Sequence, residues 1–269
     1  MDFNMNDAQK LLASRVSDYL RQADRGELVC GNFLTPQEAA FTLSVMREER
    51  ASERAFLFGG YVDAERKRIF VLPSFLSDLE GDGEERARLY FPEEFSGAIR
   101  AIKITGSGFR ELSHRDYLGT ILSLGIERPT IGDVVVLDQH SAVVFCTDKI
   151  FGYLMSGIER IASDKVSVCE FLPDADFAVK REFLNIRDTV ASTRLDCVVG
   201  ALINLSREKA QTLIRSGLCE VNYVVEQRVD LQMKTPCVIT LRGYGKYNLL
   251  DFDGETKRGR LRLVAQKYV

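Results

Sequence analysis

Apolar positions recur along this chain with two periods, and the switches between them mark out its elements. Residues 7–24 carry Leu11, Leu12, Val16, Tyr19, Leu20 and Ala23 at helical spacing, closed by Gly26. Thr35-Pro36-Gln37-Glu38 joins a cap, a proline at the first helical position and a capping-box glutamate, and predicts a second helix through Ala39, Leu43 and Met46. Ala55–Phe58 and Ile69–Leu72 read as strands, with Arg66-Lys67-Arg68 as a solvated hairpin tip between them. Ser77 to Glu85 is acidic, glycine-containing and aperiodic, and reads as a linker.

A second set of elements follows. Strands are expected near Leu89–Phe91 and at Ile99–Thr105, then a helix capped by Ser113. A hairpin pairs Val134–Leu137 with Ala142–Cys146, a helix runs from about Lys149 to Ile161, and a strand spans Val166–Phe171. That order suggests a split β-α-β plait shaped like the RNA-recognition motif. The aromatic signature with which that motif stacks bases is absent, so the shape does not imply base reading.

The last part of the chain begins with two short helices. Thr193 and Asp196 stand three apart as a capping box before Leu195, Val198, Val199 and Leu202. Ser206 caps the next helix, Ala210, Leu213 and Ile214 form its apolar stripe, and Gly217 closes it. The period then drops to two, through Leu218, Val221, Tyr223 and Val225, and again through Val238, Thr240 and Leu241. Two helices and a small sheet are expected. The whole chain is therefore α+β, with an N-terminal α+β domain over 1–76, a plait over 86–172 and a C-terminal domain over 186–269.

Charge changes this picture. The net charge is −3, which does not announce a nucleic-acid binder. Residues 186–269, however, hold 14 Lys and Arg against 9 Asp and Glu, a net of +5, while residues 1–185 hold 22 against 30, a net of −8. One module therefore carries the positive field. Its candidate RNA-binding residues are Arg194, Ser206, Arg207, Lys209, Arg215, Arg242 and Lys246. Arg207 is the informative one. A cation in a helix's first turn opposes the dipole, at a cost of a few tenths to about 1 kcal/mol. An anion such as phosphate at the same helix end would offset that cost.

Other chemistry is thinly represented. Six scattered cysteines without a C-x-x-C pair, and only His114 and His140 besides, assemble no zinc site. Cys197 and Cys219 read as reduced core residues. No cofactor is expected. His114-Arg115-Asp116 matches a kinase catalytic-loop triplet, but it opens a helix and none of the other kinase motifs accompanies it. The start MDFNMNDAQK is no signal peptide and no apolar run reaches membrane-spanning length, so a cytosolic protein with no membrane partner is expected.

Arg194-Leu195-Asp196, Leu205-Ser206-Arg207, Ala210, Ile214, Gly217 and Val221-Asn222 resemble the S4-type RNA-binding domain. Lys234-Thr235-Pro236-Cys237 departs from it, standing where that family has Gly-Asp at the turn into its last strand. Further forward, Phe58-Gly59-Gly60-Tyr61-Val62-Asp63-Ala64-Glu65-Arg66-Lys67 resembles the bacterial YlmH family, as do Leu112–Gly119, Leu124-Gly125-Ile126 and Ile131-Gly132-Asp133-Val134. The resemblance implies a non-enzymatic, monomeric factor that binds ribosomal RNA of the large subunit and tRNA. It also implies a role in quality control of stalled peptidyl-tRNA complexes, with template-free tail addition. Two alternatives stand beside it: an RNA-modifying enzyme, since Arg194-Leu195-Asp196 echoes a pseudouridine-synthase motif, and a division-associated factor.

Overall fold

The computed structural model describes residues 7–174, 177–179, 183–257 and 259–268. The fold is α+β, and the chain divides into two units, Met1–Val179 and Lys180–Val269. The first begins with α1 (Asp7–Ala23), β1 (Val29–Leu34), α2 (Pro36–Glu48), β2 (Ala55–Phe58) and β3 (Lys67–Val71). These strands form an antiparallel sheet in the order β1-β3-β2, and the helices cover it through Val16, Leu20, Val45 and Met46. The Thr35 capping box forms as its sequence predicts.

Three expectations fail in and just beyond this sheet. Ser77 to Glu85 is not all linker, because Asp82 Oδ1 accepts from the amide of Glu85 and Glu85 Oε2 accepts from the amide of Asp82, starting α3 (Gly83–Tyr90). The strand expected near Leu89–Phe91 is therefore helical, and α4 (Pro92–Ala98) follows at once. Arg66-Lys67-Arg68 is not a solvated tip either. Arg66 and Arg68 are each only 8 % exposed. Their guanidinium groups donate to main-chain carbonyls, Arg66 to Ile131 at 3.0 Å and Arg68 to Gly31 at 2.6 Å. A buried cation is tolerated when such acceptors replace water.

The rest of the unit is β4 (Ile99–Gly106), α5 (His114–Ser123), β5 (Ile131–Asp138), β6 (Ser141–Thr147), α6 (Asp148–Gly157), β7 (Arg160–Ile161) and β8 (Asp164–Glu170). The helix expected to reach Ile161 stops at Gly157, and Ile161 belongs to β7. The antiparallel order is β5-β6-β4-β8-β7. Helices α5 and α6 pack on one face over Ile102, Ile104, Val144 and Cys146. The opposite face is covered by the unit's own front part, where Phe33, Tyr61 and Ala64 lie on Ala101, Val135, Val143 and Phe145. Asp133 fastens that cover. It accepts from Tyr61 Oη at 2.7 Å and from the amides of Glu65 and Arg66 at 2.7 and 3.0 Å. Gly60 has φ +98, and a Cβ there would stand 2.7 Å from Phe145 Cδ1, so only glycine lets the loop lie this close.

The second unit contains β9 (Phe183–Val190), α7 (Leu195–Leu202), α8 (Arg207–Arg215), β10 (Cys219–Val221), β11 (Val224–Val225), β12 (Cys237–Leu241), β13 (Gly245–Glu255) and β14 (Leu261–Tyr268). The sheet is larger than expected, six antiparallel strands ordered β11-β10-β12-β13-β14-β9. Its inward residues on β12 are Cys237, Ile239 and Leu241, so Val238 and Thr240 face away from the core. Both helices pack on that inward face through Leu195, Val198, Val199, Ala210, Leu213 and Ile214. The corner between them is tight. Asn204 takes φ 52, Leu205 N donates to Gly200 O at 2.9 Å, and a Cβ on Gly200 would meet Leu205 O at 3.0 Å.

Candidate nucleic-acid interface

Asp196 is the centre of the basic edge. It lies in the first turn of α7 but does not cap it: the N-cap residue is Arg194, without a side-chain cap bond, and Thr193 Oγ1 pairs with Gln232 Oε1. The expected Thr193–Asp196 capping box therefore does not form, because tertiary partners claim the carboxylate. Asp196 is 0 % exposed. Its Oδ1 accepts from Arg194 Nε at 3.1 Å, and its Oδ2 from Arg194 Nη2 at 3.1 Å, Arg207 Nε at 2.9 Å and Gln211 Nε2 at 2.7 Å. Burial alone would raise its pKa, but the bonds from Arg194, Gln211 and Arg207 outweigh that and hold it well below the usual carboxylate range.

Arg207 is thus compensated from within the fold. Its position at the start of α8 opposes the helix dipole, and Asp196 supplies the offsetting anion. Among the described residues only its Nε is engaged, and the side chain is 58 % exposed, so the outer edge of the guanidinium faces solvent. Ser206 accepts from Lys209 N at 3.4 Å as the cap of α8, and Lys209 itself is exposed on the same first turn. Arg260 reaches the neighbourhood from beyond β13, donating through Nε to Thr189 Oγ1 at 3.0 Å. It lines a cavity of about 290 Å³ together with Asp196, Asn204 and Arg207.

The seven candidate residues do not form one patch. Arg194, Ser206, Arg207 and Lys209 gather around Asp196. Arg215 ends α8, and Arg242 lies at the same end of the unit, its amide donating to Leu218 O at 2.9 Å. Lys246 pairs with Thr240 across β12 and β13, on the face turned away from the helices. Gln211 and Arg260 were not legible as partners of this edge. The spacing of Arg207 and Gln211, four apart on one helix, is the signal that could have placed Gln211; Arg260 has none.

The first unit offers a different surface. A cavity of about 680 Å³ opens beside Tyr61 and Phe145, whose ring centroids are 4.9 Å apart. Two cations at its rim are paired, Arg88 with Glu84 at 2.7 Å and Arg100 with Asp148 at 3.1 Å and Glu170 at 2.5 Å.

Residues 92–173, which include the five-stranded sheet, match the family described as "Putative RNA-binding domain in YlmH". Over those residues the chain is similar to that family. It is also similar to the "Ribosome-associated protein quality control protein P2" of Bacillus subtilis (strain 168), with 27 % identity over 238 residues, covering 88 % of this chain and 86 % of that relative. A solved structure, "Cell division protein ylmH from Streptococcus pneumoniae", aligns at 15 % identity with a TM-score of 0.48, covering 64 % of this chain and 95 % of that one. Among the described residues of the chain, no helix is long and apolar enough to cross a membrane, and no cluster of metal-ligating side chains occurs.

Proposed function

We propose that this protein is a non-enzymatic, cytoplasmic RNA-binding factor that works as a monomer on the large ribosomal subunit, in quality control of stalled peptidyl-tRNA complexes. In this reading the second unit is an S4-type domain that contacts ribosomal RNA and tRNA, and the sheet over 92–173 is a plait of the RNA-recognition-motif shape. The observation that carries it is the set of guanidinium groups held on Asp196 at the start of α8. Their orientation is fixed before any ligand arrives, and the unengaged edge of Arg207 stands beside helix N–H groups that favour phosphate. Lys209 extends that edge, while Arg215 and Arg242 extend the track to the far end of α8. The relative's printed role in ribosome-associated quality control supports the ribosomal setting.

The plait acts in this reading through shape and placement. Its helix-free face lies under Tyr61, Ala64 and Phe33, which closes that face to stacked bases. Geometry also weighs against a pseudouridine-synthase role for Arg194-Leu195-Asp196. Asp196 is fully buried and spends both oxygens on four donor atoms, so it presents no nucleophile to a substrate. Tail addition without a template is, on this reading, supported by holding the complex and not by chemistry on this chain. Crosslinking the protein to RNA in cells and sequencing the attached fragments tests it: ribosomal RNA together with tRNA is expected, and a single modified nucleotide site would overturn it.

A further inference from the structure

The face of the second unit's sheet that turns away from α7 and α8 carries a row of rings. Phe183 and Tyr268 are paired across β9 and β14, with ring centroids 5.0 Å apart and an edge-on packing. Lys246 Nζ lies 4.7 Å from the centroid of Tyr268 and 5.0 Å from that of Tyr223, so one cation links the two tyrosines. The row therefore runs from the β10–β11 turn across β13 to β9. Arg187 and Arg262 stand on the same face and are exposed, with Glu220 and Asp251 on it as well.

Tyr223 is the unusual member. Val221 pairs with Val224, and the two residues between them, Asn222 and Tyr223, have φ 48 and φ 66. Positive φ at both central positions is the mark of a type I′ hairpin turn, for which Asn-Gly is the favoured pair. Asn222 suits its place, exchanging bonds with Val238 through its side-chain oxygen at 2.9 Å and its amide at 2.7 Å. A tyrosine in the left-handed region is a steric outlier where glycine would fit without penalty. Strain kept at a turn tip points to a use for the side chain.

We infer that this ring row is a second RNA surface, which takes unpaired nucleotides by stacking their bases on Tyr223, Tyr268 and Phe183 while Lys246, Arg187 and Arg262 attract the phosphates. The chemistry is that of single-strand binding, in which aromatic rings tolerate any base and basic groups track the backbone. It differs from the edge around Asp196, which offers guanidinium groups and a helix end but no rings. The inference rests on the RNA-binding reading above and assigns a second class of RNA to the same unit.

The test uses the full chain, a labelled single-stranded oligoadenosine and a blunt RNA hairpin of equal length. Tyr223→Gly relieves the turn, so its melting temperature should equal or exceed that of the parent. Its affinity for oligoadenosine should fall about tenfold, the worth of one lost base stack, while hairpin affinity changes less than twofold. Tyr223→Phe, which keeps the ring, should stay within twofold of the parent on both. Parent protein that binds the hairpin but not oligoadenosine, or Tyr223→Gly that binds oligoadenosine unchanged, would overturn the ring row alone. Parent protein that binds neither RNA would overturn the RNA-binding reading with it. Unchanged oligoadenosine affinity joined to lost ribosome co-sedimentation, or to lost self-association, would assign the row to a protein surface and equally overturn it.

Discussion

Arg207 Nε donates to Asp196 Oδ2 at 2.9 Å, joining the first turn of α8 to a carboxylate that has no exposure to solvent. This pair alters what Arg207→Ala should do. A cation that only opposed the helix dipole could be removed with no loss, or a small gain, of stability. Here its removal takes one donor from a buried carboxylate, with Arg194 and Gln211 remaining, and the exposed guanidinium limits the loss to about 1 kcal/mol. RNA affinity should fall by more, about 1–3 kcal/mol, with Arg207→Lys recovering part of it. Thermal melts and RNA titrations of the three proteins check both halves. An alanine variant more stable than the parent would contradict the pairing.

Asp196 should also shape the acid limb of stability. Its folded pKa lies below the unfolded one, so its contribution is complete above the ordinary carboxylate range of about 3.9. It is lost progressively as pH falls from there toward the depressed folded value. Asp196→Asn should therefore destabilise at pH 7 by about 3–5 kcal/mol, the cost of breaking a buried charge pair. The same variant should show a shallower loss of stability than the parent between about pH 4 and pH 2. Denaturant melts at stepped pH measure both, and parallel curves for parent and variant would rule out this linkage.

What could be read from the sequence was mostly local. Thr35, Ser113 and Ser206 sit where their caps form, because a cap and its partner lie within one turn. Arg66 and Arg68 looked like surface charge because the carbonyls that accept from them are 65 and 37 residues away. Thr193 and Asp196 had capping-box spacing, yet a partner eleven residues on and another fifteen residues on took the carboxylate. The strands β13 and β14 were missed because the charged run Asp251–Arg260 hides the alternation of Tyr247, Leu249, Leu263 and Ala265. On β12 the apolar Val238 suggested a register one residue off, and the burial of Cys237 and Ile239 decides the true one.

In the first unit, Asp133 should be worth more than an exposed carboxylate usually is. Three donors converge on it, and losing them frees the loop that covers Phe145. Asp133→Ala should cost about 2–3 kcal/mol, since two main-chain amides lose their acceptor along with the tyrosine hydroxyl. Tyr61→Phe, which removes one bond and keeps the ring contact, should cost about 1 kcal/mol. Gly60→Ala should cost at least as much as Asp133→Ala, because a positive φ and a crowded Cβ act together. Equal stability of the Tyr61 and Asp133 variants in denaturant titration would show that the amide bonds contribute nothing.

The last prediction separates the two ends of α8. Each phosphate neutralised by the protein should add about 0.7 to 0.9 to the slope of log affinity against log salt. Lys209 stands on the first turn of α8 and Arg215 on its last, a helix of nine residues and so about 13 Å long. If the RNA backbone follows the track from one end to the other, Lys209→Ala and Arg215→Ala should each lower the slope by about one such step, and the double variant by two. Both side chains are exposed, so neither change should shift the melting temperature measurably. Titrations of the full chain with a ribosomal RNA fragment at several salt concentrations give the slopes. A slope that drops for Lys209→Ala but not for Arg215→Ala would confine the contact to the edge around Asp196 and remove Arg215 and Arg242 from the interface.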